Sequence, residues 1–139
     1  KTQFRLEWMQ NTFSQDITPT VWYMHSPYVC GWTNDRMILG HPAGGDSWEL
    51  FARVTRDISP KATLGLDFSH QWRGELLLKN FGFSVQEKHY RGGIDLDYFF
   101  TDSLELWARM AVEKVENFNL TPGDDRMNYV FRLSLKYRF

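Results

Sequence analysis

Between residues 21 and 46 the chain reads VWYMHSPYVCGWTNDRMILGHPAGGD, and here the residue types able to do chemistry are densest. Four aromatic rings, Trp22, Tyr23, Tyr28 and Trp32, stand among His25, Asn34, Asp35, His41 and Asp46. That set suits a carbohydrate: ring faces stack on the C–H faces of a sugar, while imidazole, amide and carboxylate groups fix its hydroxyls. The same rings serve equally well as packing, plugging a lumen or forming an interfacial girdle, and residue types alone leave both readings open. Gly40, Gly44 and Gly45, with Pro27 and Pro42, are turn formers. They are not a phosphate cradle, because no strand–loop–helix context surrounds them.

Other chemistry finds less support. His25, His41, His70 and His89 lack the spacing of a metal site. Asp35, Asp46, Asp124 and Asp125 lack the spacing of a calcium loop. Neither a metal nor any other cofactor is expected. There is no G-x-S-x-G elbow. Asp67 and Ser69 share a face of an extended segment while His70 points away, which breaks the one triad worth considering. The chain is therefore expected not to be an enzyme. A single cysteine, Cys30, excludes an internal disulfide. Sixteen Lys and Arg against seventeen Asp and Glu give no electrostatic pull towards nucleic acid. No run approaches the roughly 20 apolar residues of a membrane helix, which excludes helical spans only.

The elements that must position these residues are strands. Period-2 alternation dominates, and six segments carry it: QFRLEWM (3–9), SWELFARVTR (47–56), TLGLDFSHQW (63–72), GIDLDYFF (93–100), LELWARMAVE (104–113) and NYVFRLSLKYRF (128–139). Each puts Leu, Val, Phe, Tyr or Trp on one face. On the other recur Arg5, Glu49, Arg53, Asp95, Glu105, Arg109, Arg132 and Lys136, a lattice expected to line or brace a watery lumen. Connections alternate in length. Residues 57–62 and 101–103 make short turns helped by Pro60 and Asp102, whereas 11–46, 74–92 and 114–125 are long. All short turns thus fall at one end of the sheet and all long loops at the other, as in bacterial outer-membrane barrels.

The predicted fold is all-β, an antiparallel transmembrane β-barrel. Residues 1–139 are expected to form its C-terminal segment, with 11–46 as a long extracellular loop. Closure in a membrane takes about eight strands or more. Six strands, or seven with TPTVWYMH (18–25), do not close, so the remainder is expected from further residues of the barrel or from a partner chain. Phe139, a terminal aromatic after alternating apolar residues, is expected to signal to the barrel-assembly machinery by strand addition. The competing fold is a water-soluble sheet, in which a second layer covers the apolar face. Outer-membrane lipid covers it in the barrel reading.

The order Tyr23, His25, Tyr28, Gly31, Trp32, Thr33, then ILGHPAGGD (38–46) and, after a strand, ISPKATLGLDF (58–68), resembles the C-terminal region of the capsule-assembly Wzi family. The resemblance covers residues 20–75 and the generic barrel terminus. It implies a large outer-membrane barrel acting as a surface lectin that helps to hold capsular polysaccharide, with Trp22, Tyr23, His25, Tyr28, Trp32, His41 and Asp46 as candidate sugar contacts. The alternative function is a structural or channel-wall subunit that scaffolds an outer-membrane complex and binds no glycan.

Overall fold

The computed structural model describes residues 1–13, 20–21, 33–34, 37–38, 46–75, 78 and 82–139. Its main feature is one six-stranded antiparallel sheet in sequential order. The strands are β1 (Thr2–Gln10), β6 (Ser47–Ser59), β7 (Ala62–Arg73), β8 (Glu87–Thr101), β9 (Leu104–Glu116) and β10 (Arg126–Tyr137). Two small ladders lie between β1 and β6: β2 (Thr12–Phe13) pairs with β3 (Thr20–Val21), and β4 (Thr33–Asn34) with β5 (Met37–Ile38). Of the stretch 18–25, a possible seventh strand by alternation, the described residues Thr20–Val21 form β3 in a two-stranded ladder separate from the large sheet.

A single rung crosses all six strands as Leu6, Ala52, Phe68, Gly92, Val112 and Tyr129. The neighbouring rung runs Arg5, Arg53, Asp67, Gly93, Ala111 and Val130. Because side chains alternate between faces, the first rung belongs to an apolar face and the second to a charged one. The six predicted strands are all present, each hydrogen-bonded to its neighbour in sequence within the large sheet.

Their ends differ from the expectation. β8 begins at Glu87, six residues before the predicted start, because Glu87 pairs with β7 and Lys88 to Gly92 pair with both β7 and β9. Gly92, the last residue of the predicted connection 74–92, lies inside the strand. The predicted turn 57–62 contracts to Pro60–Lys61, since pairing continues through an irregularity at Asp57/Ser59, where Thr63 Oγ1 donates to Asp57 Oδ1 at 3.0 Å. The second turn is Asp102–Ser103, with the amides of Ser103 and Leu104 donating to Thr101 Oγ1 at 3.3 and 3.1 Å. β10 stops at Tyr137, two residues before Phe139. Both short turns lie at one end of the sheet, and the chain leaves the sheet for its longer connections after Gln10, Arg73 and Glu116 at the other.

Burial is inverted relative to a water-soluble domain. Among the described residues only Ala62 and Val115 are buried hydrophobics, while Asp67, Asp95 and Glu87 are 9, 6 and 3% exposed. Phe4, Leu6 and Trp8 on β1 and Tyr129, Phe131, Leu133 and Leu135 on β10 are all more than half exposed. No second layer covers them among the described residues. Leaving one such side chain in water forgoes roughly 1.5–3 kcal/mol, so a continuous bare face of this kind requires an apolar neighbour.

The apolar face is itself graded. Near the long connections Trp48 stacks on Trp72 with ring centroids 3.4 Å apart, His70 meets Trp72 edge-on at 3.2 Å, and His70 stacks on Tyr90 at 4.2 Å. Near the short turns Tyr98 and Phe100 lie 4.9 Å apart, and Tyr137 and Phe139 5.0 Å. Between them lie aliphatic positions such as Leu66, Ile94, Met110 and Leu133. From Tyr90 to Tyr98 is about 26 Å along the strand at ~3.3 Å per residue. Two aromatic rows about that far apart bracket a band close to the ~25 Å typical of barrels in membranes.

Candidate functional site

The charged face is organised into two networks. The central one joins four strands. Arg53 on β6 reaches across β7 to grip Asp95 on β8 with two hydrogen bonds, Nη1 to Oδ1 at 2.7 Å and Nη2 to Oδ2 at 2.9 Å. Arg109 on β9 reaches back across β8 to Asp67 on β7 in the same way, at 2.7 and 2.8 Å. Each arginine also touches the other aspartate, Arg53 to Asp67 at 3.2 Å and Arg109 to Asp95 at 3.4 Å. Two-pronged guanidinium–carboxylate pairs are strong and geometrically specific, and here they offset the cost of the nearly dry carboxylates.

Glycines make this crossing possible. Gly65 lies beneath the Arg53–Asp95 pair, where an added Cβ would stand 2.5 Å from Arg53 Nη2 and 2.6 Å from Asp95 Oδ2. Gly93 does the same under Arg109 and Asp67, at 2.7 and 2.9 Å.

The second network sits nearer the long connections. Buried Glu87 accepts from Arg73 Nη1 at 2.9 Å and from the Asn119 amide at 2.7 Å, and pairs with His89 Nε2 at 2.6 Å. His89 Nδ1 lies 3.2 Å from Glu113 Oε1, which also accepts from Arg91 at 2.8 Å, while Glu113 Oε2 accepts from Asn128 at 3.1 Å. The Asn119 contact ties down the connection 117–125, whose 3-10 turn (Phe118–Leu120) contains left-handed backbone at Asn119. In that connection the Arg126 guanidinium, 3.0 and 2.8 Å from the two oxygens of Asp124, holds the Asp124 carboxyl below the usual carboxylate range.

Of the eight charges predicted to share a face, all do so by register. Arg53, Asp95 and Arg109 form the central network. Glu105 pairs across to β10, 3.5 Å from Lys136 and 3.1 Å from Arg138. Arg5 donates to Glu7 at 2.7 Å and lies over the Phe51 ring at 5.6 Å, with Glu49 lining the same recess. Arg132 is opposite Arg109 on β10 but does not enter its network. Alternation missed the centrality of Asp67, Glu87, His89 and Glu113. For Glu87 and His89 the available signal was the run of ionisable residues at every second position from Glu87 to Asp97, broken only by Gly93.

Among the candidate sugar contacts, Trp22, Tyr23, His25, Tyr28, Trp32 and His41 lie outside the described residues. Asp46 is buried at the entry to β6, and its carbonyl accepts from the Gly74 amide at 2.9 Å. His70 lies on the apolar face with Nδ1 3.0 Å from the His89 carbonyl, away from Asp67 and Ser69.

A family model described as Capsule assembly protein Wzi matches residues 1–129. No curated protein and no solved structure matches the chain.

Proposed function

Since the chain belongs to the Wzi family of capsule assembly proteins, we propose that its sheet is a stretch of outer-membrane barrel wall whose long connections hold surface polysaccharide. The family's role in capsule assembly implies the cell envelope. The observation that carries the membrane reading is the inverted burial: a bare apolar face edged by two aromatic rows, against a charged face on which the Asp67, Asp95 and Glu87 carboxylates are nearly dry. Lipid satisfies the first face and a hydrated lumen the second. The remaining strands of the barrel, or a partner chain, complete the ring at the edges of β1 and β10. The protein acts by binding and support, without chemistry on the glycan.

The glycan-holding part rests on the aromatic and polar residues of the connection 21–46 and on the family. Retention of isolated capsular polysaccharide by the full-length barrel, immobilised in detergent, tests it. Trp22→Ala and Trp32→Ala are each expected to weaken retention roughly tenfold, on the scale of one stacked ring. Unaltered retention in both would eliminate the lectin reading. A second reading, a braced wall that scaffolds without binding sugar, draws on the self-paired charged face, where the ion pairs are made within the wall itself. It is the reading that unaltered retention would leave standing.

A further inference from the structure

The apolar face has one interior position without a side chain. Gly92 on β8 stands in the rung between Phe68 and Val112, and an added Cβ there would meet nothing within 4 Å. Around it Ile94, Met110, Val112, Tyr129 and Phe131 leave an open hollow of about 410 Å³, lined mostly by apolar surface.

The chemistry changes in order along the strands from that notch towards the long connections. One rung up, Tyr90 is opposite Lys114, and the next brings Lys88 opposite Glu116. Lys114 Nζ contacts Glu116 Oε1 at 2.6 Å, whereas Lys88 makes no ion pair among the described residues. Lys114 is thus answered by Glu116 and, at longer range, by Asp125, which leaves the Lys88 ammonium as the cation of this cluster outside ion-pair distance of a carboxylate among the described residues. At ~3.3 Å per residue the two ammonium-bearing rungs lie about 7 and 13 Å beyond Gly92. The polar layer of a leaflet begins at the hydrocarbon edge and is roughly 5–8 Å thick. An apolar notch, then a rung holding a phenol and one ammonium, then a second ammonium, follows the order of acyl chain, ester region and phosphate in a lipid.

We propose that this notch seats one acyl chain of a phosphorylated lipid in the leaflet at the long-connection end, its phosphate held by Lys88 and Lys114. The inference rests on the membrane reading above. Charge complementarity selects the occupant: an uncharged lipid would leave the Lys88 ammonium unanswered, whereas a lipid phosphate pairs with it while its acyl chain fills the notch.

Native mass spectrometry of the full-length barrel in mild detergent, titrated with a diacyl phosphate lipid or with uncharged diacylglycerol, tests it. One phosphate lipid should be retained at least tenfold more tightly than diacylglycerol. Gly92→Leu, which fills open space, and the double variant Lys88→Gln/Lys114→Gln should each remove that retention. Ala52→Leu, elsewhere on the face, should keep it. Retention surviving in either altered protein, or equal retention of both lipids, would overturn the proposal. So would a doubled mass abolished by Gly92→Leu, which would mark a second copy as the occupant. Fractionation keeps the two readings apart: a full-length protein absent from the membrane fraction refutes the wall itself, whereas a membrane-inserted barrel without lipid selectivity refutes only the seat.

Discussion

Gly65 and Gly93 contribute no side chain, yet they determine how Arg53 and Arg109 cross the sheet. Each guanidinium passes over a glycine to reach an aspartate two strands away, so the two glycines are part of the ion network as much as the charges are. Removing one partner of a buried pair leaves the other charge unanswered, which costs about 3–5 kcal/mol. Asp67→Ala should therefore destabilise the folded wall by about 3 kcal/mol, the low end, because the Arg53 and Arg109 side chains remain 26 and 21% exposed. Gly93→Ala should cost about 1–3 kcal/mol by displacing Arg109 without removing any charge. Urea unfolding in lipid vesicles, followed by tryptophan fluorescence, measures both. At Glu87, the loss of an acceptor for the Asn119 amide should free the connection 117–125. Glu87→Ala is expected to speed amide exchange at Asn119 roughly tenfold or more.

At the scale of elements, the faces of β10 make the sharpest contrast. Leu133 and Ser134 are neighbours on one strand, but Leu133 lies on the exposed apolar face and Ser134 on the charged one, opposite Trp107. Leu133→Arg should cost about 2–4 kcal/mol in a membrane. Ser134→Arg, among Arg132, Lys136 and Arg138, should fold with a loss below about 1 kcal/mol. Yields of heat-modifiable folded protein after insertion into vesicles distinguish them; equal yields would mean that the apolar face does not meet lipid. β8 carries a different lesson. Its first six residues, Glu87 to Gly92, fall in the connection predicted from sequence because apolar residues do not alternate there, yet pairing with the neighbouring strands holds the backbone extended. Tertiary context overrides the weak local preference there.

For the whole molecule, the expected behaviour is that of an integral membrane protein. The full-length protein should sediment with the outer membrane, resist carbonate extraction and migrate faster on a gel before heating than after it. Release by carbonate into the soluble fraction would exclude the wall. Much of this architecture was legible in the residue order, because period-2 alternation is a local property: each residue's neighbours at i±1 and i±2 tell which face it takes. Phe4, Leu6 and Trp8 against Arg5 and Glu7 is enough to draw two faces, and the alternation of long and short connections is enough to sort them by end. The candidate loop 21–46 was legible only as composition, and its six foremost residues lie outside the described structure. What the residue order left undecided was which charge answers which. That depends on strand register and on the reach of an arginine over a neighbouring strand, quantities set only when four separate segments lie side by side. The order of residues by itself determined an all-β chain with one greasy and one ionic face. The tertiary structure decided that the ionic face would lock itself across two glycines, because only in three dimensions do residues 53, 67, 95 and 109 share one place.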